Sequence, residues 1–183
     1  MSVKQTHLLR QQIVAGDYVI AENTAQLLKG TLGIGFDLFI QEVHYAVNAR
    51  QANLALILLE DCQRFFDSAC SNEQMKNRLE QLTVLIASCR REKMDDPARQ
   101  VVVLVLQLLD KPDFPMELGL VDAVAKFAGI AGRYALRRKD LTWFGQIALS
   151  SVSWATRCEN CAVSEHFFPV LESWMHRITS QAL

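Results

Sequence analysis

Two cysteines and one histidine near the carboxyl end of the chain have a spacing that suits metal or redox chemistry. Cys158 and Cys161 are separated by two residues, and His166 follows five residues later. Two thiolates at this spacing can bind one metal ion or form a reversible disulfide. A structural zinc site needs four ligands, and the sequence holds no second cysteine pair of this kind. We therefore predict ordinary thiols at a turn between helices, with metal and redox roles as the alternatives.

A second group of polar residues could supply an acid, a base or a metal ligand. Asp37 and His44 are seven residues apart, which places them on one face of a helix, and Glu42 lies in the same segment. Helical bundles that bind two metal ions through carboxylates use Glu-x-x-His motifs, and the sequence contains none. Polar residues at this period are typical of a solvated helix face. We predict no cofactor and no metal, and Asp37, Glu42 and His44 stay a candidate polar site.

Aromatic and basic side chains after residue 130 suggest a contact surface. Adjacent aromatic residues point about 100° apart on a helix, so the two members of a pair cannot share one narrow stripe. Either these helices are buried on two sides, or some of the aromatic side chains form an exposed surface. Two arginines at a predicted helix end offset the helix dipole and could also meet an acidic partner. The candidate interaction surface consists of Trp143, Phe144, Phe167, Phe168, Arg137 and Arg138.

Helical periodicity dominates the segments that must position these residues. From Gln51 to Ala69, apolar residues recur at the spacing of one helix face. The segment from Phe36 to Val47 shows the same pattern directly before it. Because almost no linker separates the two segments around Arg50, we predict a helical hairpin of antiparallel neighbours.

Capping signals mark where several helices begin. Ser71 followed three residues later by Gln74 matches a capping box. Asp140 is an expected N-cap for the helix that carries the first aromatic pair, and Ser164 is expected to open the last helix. Pro169 is then tolerable only because it lies near the start of that last helix.

Other local signals mark breaks and one ambiguous segment. The sequence Asp95-Asp96-Pro97 predicts a capping acid followed by proline at the first helical position. We therefore interpret the valine-rich run 101–109 as a helix, although such a run also suits a buried strand. Gly16 is a possible break in the amino-terminal helix, and the prolines around residue 113 precede a helix over 116–136 rich in small residues.

These patterns predict an all-α fold of about eight helices, arranged largely as antiparallel hairpins. The three central blocks have comparable lengths but share no repeating residue pattern. A compact irregular bundle and a short α-solenoid or superhelix both fit this arrangement. We expect one all-helical domain over residues 1–183.

Charge and composition exclude several classes of protein. Lysine and arginine number 19 against 20 acidic residues, so no global charge attracts nucleic acid or an anionic membrane. We predict no nucleic-acid partner and no membrane span, because the longest uncharged stretch is too short and too polar to cross a bilayer. An amino-terminal segment without a signal-peptide pattern, together with unpaired cysteines, leads us to expect a cytoplasmic protein.

The function that these features favour is protein–protein interaction. We expect a helical adaptor, chaperone-like or regulatory module that binds a partner chain, or a second copy of itself, through an apolar groove or face. The alternative is a small-molecule site or an enzyme with its site between helices. The absence of a nucleophile motif, a metal-ligand set and a phosphate loop favours a protein that is not an enzyme.

Overall fold

A computed structural model of the chain describes residues 3–30, 35–67, 70–111, 113–115, 117–157 and 162–181. All regular structure in these ranges is helical, which confirms the predicted all-α class. The helices are α1 (Val3–Ala15), α2 (Tyr18–Leu28), α3 (Phe36–Asn48), α4 (Ala52–Glu60), α5 (Arg64–Asp67), α6 (Asn72–Glu92), α7 (Asp95–Leu109), α8 (Leu118–Arg137), α9 (Leu141–Arg157) and α10 (Ala162–Gln181).

Contacts within the chain group it into two compact units. The first unit contains Met1–Ala69 and Ala87–Val101, and the second contains Cys70–Ile86 and Val102–Leu183. The chain therefore contributes parts of α6 and α7 to each unit. The expected single domain over 1–183 stays a prediction. None of the helices in the described ranges is long and apolar enough to cross a membrane.

In the first unit, a glycine turn separates the first two helices. Gly16 has a φ of +83°, in the left-handed region where glycine meets no steric penalty. The backbone N–H of Asp17 donates to the carbonyl of Gln12 at 2.9 Å, which closes the end of α1 in the manner of a helix C-cap. The predicted break is confirmed, and α1 packs against both α2 and α3.

The predicted hairpin around Arg50 is also confirmed. Arg50 has a φ of +57°, and the N–H of Gln51 donates to the carbonyl of Ala46 at 2.9 Å. This tight turn returns the chain so that α4 packs against α3. The apolar faces of the two helices form the core of the unit, with Phe39, Val43, Leu54 and Leu58 buried.

The prediction of one continuous helix from Gln51 to Ala69 is wrong, because α4 ends at Glu60. The N–H groups of Asp61 and Cys62 donate to carbonyls three residues earlier, each at 3.0 Å, and these bonds tighten the last turn. The Asp61 carboxylate accepts a hydrogen bond from the backbone N–H of Gly30 at 2.9 Å and pairs with Arg64 at 3.1 Å. The tertiary bond to Gly30 and the local pair with Arg64 favour a turn where periodicity alone predicts a helix.

In the second unit, α8 packs against both α9 and α10. Small residues on α8 permit this, and Gly132 lies directly under the indole of Trp174. The predicted caps are confirmed at two helices. Ser71 and Gln74 exchange hydrogen bonds of 3.0 and 3.3 Å at the start of α6, and Asp140 accepts from the Trp143 N–H at 2.9 Å at the start of α9.

Three predicted helix starts are shifted. The helix α7 begins at Asp95, so Pro97 is its third residue, and α8 begins at Leu118 where a start at 116 was expected. The helix α10 begins at Ala162, two residues before the expected Ser164. Pro169 is therefore inside α10, where it has no N–H to donate to the carbonyl of the preceding turn.

Candidate functional site

The cysteine motif near the carboxyl end cannot be placed by the structure. Cys158 and Cys161 lie outside the described residues. His166 is described and lies in the first half of α10, where its Nδ1 is 3.6 Å from Oδ1 of Asp122 on α8. Across the described residues, no group of three or more histidine, cysteine, aspartate or glutamate side chains is arranged to hold a metal ion.

Of the three candidate polar residues of α3, Glu42 points away from the face that carries Asp37 and His44. Asp37 is exposed in the first turn of the helix, and His44 is half-buried. Glu42 is buried, at 1% relative exposure, and lies about 160° around the helix from His44. Burial lowers the pKa of His44, and the nearby Arg91 guanidinium lowers it further. Glu42 and His44 therefore do not converge on a common site.

Glu42 instead forms an ion pair with a residue from another helix. Both Nε and Nη2 of Arg10 donate to Oε1 of Glu42, at 3.0 and 2.5 Å. The Arg10 guanidinium also lies 4.9 Å from the centre of the Tyr45 ring, a cation–π arrangement. The second carboxylate oxygen of Glu42 is buried and accepts no hydrogen bond from the described residues. This pair joins α1 to α3.

Different causes shift the pKa values of the two members of this pair, and for Glu42 the largest cause is burial. It raises the pKa of Glu42, and the hydrogen bond and charge of Arg10 only partly oppose the rise. The hydrogen bond to Glu42 raises the pKa of Arg10, so the guanidinium stays charged. An arginine that cannot lose its proton and a carboxylate without access to solvent suit a structural link better than acid–base chemistry.

The raised pKa of Glu42 predicts a pH dependence of stability. A folded-state pKa above the unfolded value, about 4.3 for glutamate, means that the native state binds the proton more tightly. The contribution of Glu42 protonation to the stability of the folded state is therefore complete below about pH 4.3 and is lost as pH rises through the folded pKa. We therefore expect the free energy of unfolding of Glu42→Gln, relative to that of wild type, to rise with pH. Urea titrations at several values from pH 4 to 7 measure this difference.

A matched control for the pH dependence is Glu60→Gln. Glu60 forms an exposed ion pair with Lys29 at 2.6 Å, and its side chain is half accessible to water. The stability difference between Glu60→Gln and wild type should not rise with pH. A difference between Glu42→Gln and wild type that stays constant or falls over the same range contradicts the assignment.

The four aromatic residues of the candidate interaction surface have different environments. Trp143 and Phe167 are buried, and they pack against Tyr134 and Trp154 with ring centroids 5.5 and 6.4 Å apart. Phe144 is half-buried, with its ring centroid 5.2 Å from that of Trp174 in an edge-on arrangement. Phe168 is the exposed member of the group, at 66% of its surface. Three of the four aromatic rings therefore pack against other rings, and Phe168 alone among the four is exposed.

The two arginines of the candidate surface lie at the end of α8. Arg137 is in the last turn and Arg138 is the C-cap residue, and both side chains are exposed. Positive charge at this end of a helix offsets the partial negative charge of its free carbonyl groups. Their position accounts for them without a partner protein.

Sequence reasoning missed a second apolar surface, which we call the α10 stripe. It consists of Phe168, Leu171, Met175 and Ile178, with relative exposures of 66, 39, 61 and 38%. The signal was present in the spacing, because α10 carries more apolar residues than one buried face can hold. Phe167 and Trp174 fill the buried face, and the α10 stripe lies beside it.

Comparison with protein-family models, curated proteins and solved structures found no significant match to this chain.

Proposed function

We propose that this protein binds an amphipathic helix of a partner protein along the α10 stripe. The observation that carries the proposal is the exposure of four large apolar side chains in one row of a helix. Phe168 and Met175, the most exposed of the four, lie two turns apart in the middle of α10. Contiguous exposed apolar surface of this kind is typical of a protein–protein contact.

The spacing of the α10 stripe favours a helix as the ligand. Its residues follow one another at intervals of three, four and three, and they fall within a sector of about 80° around the axis. A sector this narrow matches the seam of a coiled coil, in which apolar residues repeat every 3.5 residues on average. A helix laid along α10 can insert its side chains between those of the stripe over about 15 Å, the length of the row.

The core beneath the stripe holds it in place. Phe167 and Trp174 flank Leu171 along α10, and both rings are buried against aromatic side chains of α9. The stripe residues therefore project from a helix whose position is set by packing. Preorganisation of this kind reduces the entropy cost of binding.

Two exposed carboxylates beside the α10 stripe indicate the charge of the helix that would bind. Glu165 and Glu172 are exposed beside the α10 stripe, each three residues before a stripe residue, and within the described part of the chain neither forms an ion pair. A partner helix with lysine or arginine along one flank could pair with both carboxylates. The proposed partner is therefore an amphipathic helix with a basic flank.

The same charges disfavour a second copy of this chain as the occupant. In a two-fold antiparallel pair that matches Phe168 with Ile178 of the copy, the two Glu172 side chains lie on the same flank. Like charges at such positions destabilise a coiled coil. We therefore expect a monomer by light scattering, and a stable dimer that Met175→Glu dissociates would contradict this choice of partner.

The test compares proteins that co-purify with wild type and with charged variants from the native cell. Phe168→Glu and Met175→Glu place a carboxylate in the apolar contact, so each should reduce recovery of the specific partner at least tenfold, which corresponds to about 1.4 kcal/mol. Both should keep the helical circular-dichroism spectrum of wild type, because the replaced side chains are exposed.

The matched control is Leu149→Glu, which changes an equally exposed apolar residue on α9. It should retain the partners that wild type holds. If the α10 variants and the α9 variant recover the same proteins in the same amounts as wild type, the proposal is wrong. Partner segments without an amphipathic, basic helix would also overturn it.

A further inference from the structure

A pocket lies on the other side of α10 from the stripe, in the groove where α10 crosses α8. Its volume is about 260 Å³, and its walls include Asp122, Lys126, Gly129 and Arg133 from α8 and His166 and Val170 from α10. The pocket residues of α10 and the α10 stripe are centred about 170° apart around the helix axis. The two surfaces are therefore separate.

The floor of the pocket is apolar and includes Gly129, which has no side chain. A β-carbon at Gly129 would lie 3.6 Å from both Arg133 and Val170, an ordinary van der Waals distance, so a side chain larger than a methyl group would crowd these two lining residues. Ala125, Ile130 and Pro169 complete the apolar lining. Pockets that bind small molecules combine such a lining with a few polar groups that fix orientation.

The polar groups at one end of the pocket balance one another. The Lys126 ammonium is 2.6 Å from Oδ2 of Asp122, and this hydrogen bond raises the pKa of Lys126. His166 lies 3.6 Å from the other oxygen of the same carboxylate. The Lys126 ammonium therefore already balances the negative charge of Asp122.

At the other end of the pocket, no carboxylate of the described residues balances the charge of Arg133. Arg133 is half-buried, and its contact among the described residues is a hydrogen bond of 3.4 Å from Nη1 to the hydroxyl of Ser173. No carboxylate in the described part of the chain pairs with this guanidinium. Buried or half-buried charges are normally paired, so an arginine in a pocket without a counter-ion is suited to an anionic ligand.

We infer that the pocket between α8 and α10 binds a small organic carboxylate, with the carboxylate on Arg133 and a short apolar body on the floor around Gly129. The planar guanidinium presents paired donors that match the two oxygens of a carboxylate. The volume is below the range typical of drug-sized ligands, so the ligand is a small metabolite. Binding here is independent of the α10 stripe.

The test is a titration of ¹⁵N-labelled full-length protein, followed by NMR, with acetate, isovalerate, phenylacetate and inorganic phosphate. Phenylacetate or isovalerate should shift the amide signals of Gly129, Arg133 and Val170, and should bind more tightly than acetate. Inorganic phosphate distinguishes a carboxylate site with an apolar body from a general anion site. Equal affinity for phosphate and phenylacetate would overturn the assignment of ligand class.

Variants of Arg133 and Gly129 test whether these two residues bind the ligand. Arg133→Met keeps the unbranched apolar stem without the charged guanidinium and should raise the Kd at least tenfold. Arg133→Lys keeps the charge without the paired donors and should weaken binding less. Gly129→Val fills the floor without changing the charge and should abolish binding. Arg90→Met removes one exposed charge on α6, outside the pocket, and should leave the Kd unchanged.

Two further results would overturn the inference. One is the absence of any localised shift in wild type with all four probes up to their solubility limits. The other is a Kd for Arg133→Met equal to that of wild type, with a dispersed spectrum that shows the variant is folded. If Arg133→Met does not fold, the comparison of Arg133→Lys and Gly129→Val with wild type decides the question.

Discussion

Replacing Arg10 with leucine should lower the free energy of unfolding by about 3 kcal/mol at neutral pH, near the lower end of the range for breaking a buried ion pair. Glu42 would keep a carboxylate at 1% exposure without the two hydrogen bonds that Arg10 donates to it. The effect should fall at the low end because the Arg10 side chain is 33% exposed and solvent screens part of its charge. Urea denaturation at pH 7 measures it.

A second-site variant distinguishes the lost pair from lost packing. Adding Glu42→Leu to Arg10→Leu removes the unpaired charge, so the double variant should recover most of the stability that the single variant loses. Lys29→Leu breaks the exposed pair with Glu60 and should change stability by less than about 1 kcal/mol. Equal losses for Arg10→Leu and Lys29→Leu would show that the Glu42 carboxylate is not held by Arg10.

Gly132→Ala should destabilise the protein by about 1 to 3 kcal/mol, the usual cost of overpacking a core. A β-carbon at this position would lie 2.5 to 2.8 Å from three atoms of the Trp174 indole, which is 3% exposed. The ring has little room to move away, because it is buried and is also in edge-on contact with Phe144. Alanine is a better helix former than glycine, so helix propensity alone predicts a gain in stability. A loss would therefore report the contact with Trp174.

The control for this prediction is Gly145→Ala in α9. No heavy atom lies within 4 Å of a β-carbon there, so the substitution should raise stability by about 0.5 to 1 kcal/mol through helix propensity alone. The midpoint of urea denaturation should therefore move in opposite directions for the two variants. If Gly132→Ala stabilises the protein as much as Gly145→Ala does, α8 and α10 do not pack as closely as described.

Local features of the fold were predictable from the sequence because their partners lie a few residues away. The Ser71 and Gln74 side chains satisfy backbone groups within one helical turn, and the Asp140 cap works over the same distance. The break at Gly16 needs only the conformational freedom of that residue. Periodicity was sufficient for the class of fold, since packing reinforces the helices that the pattern predicts.

Features that depend on distant residues were not predictable in this way. Glu42 was placed with His44 because both lie on α3, yet its partner Arg10 is 32 residues earlier in the chain. Asp61 contributes to the end of α4 by accepting a hydrogen bond from the backbone N–H of Gly30, and the residues near Asp61 in the sequence do not predict this contact. The same holds for Phe167 and Phe168, because neighbouring helices determine which of the two is buried.

The candidate interaction surface predicted from the sequence differs from the exposed apolar surface in the structure. The predicted surface combined aromatic and basic residues from three helices. In the structure, the exposed apolar residues that form one row all belong to α10. Phe168 belongs with Leu171, Met175 and Ile178, and its neighbour Phe167 belongs to the core. Hydrophobic patterning finds apolar residues, but exposure depends on how many helices pack against each side.

Site-specific photo-cross-linking tests the proposed function most directly. Benzoylphenylalanine is placed at position 175 on the α10 stripe or at the control position 149 on α9, and cells of the native source are irradiated. Mass spectrometry then identifies the peptides linked to each position. Our account predicts that position 175 links to an amphipathic, lysine- or arginine-flanked helical segment of another protein, and that position 149 does not. Equal cross-linking from both positions, or a peptide from a second copy of this chain at position 175, would contradict it.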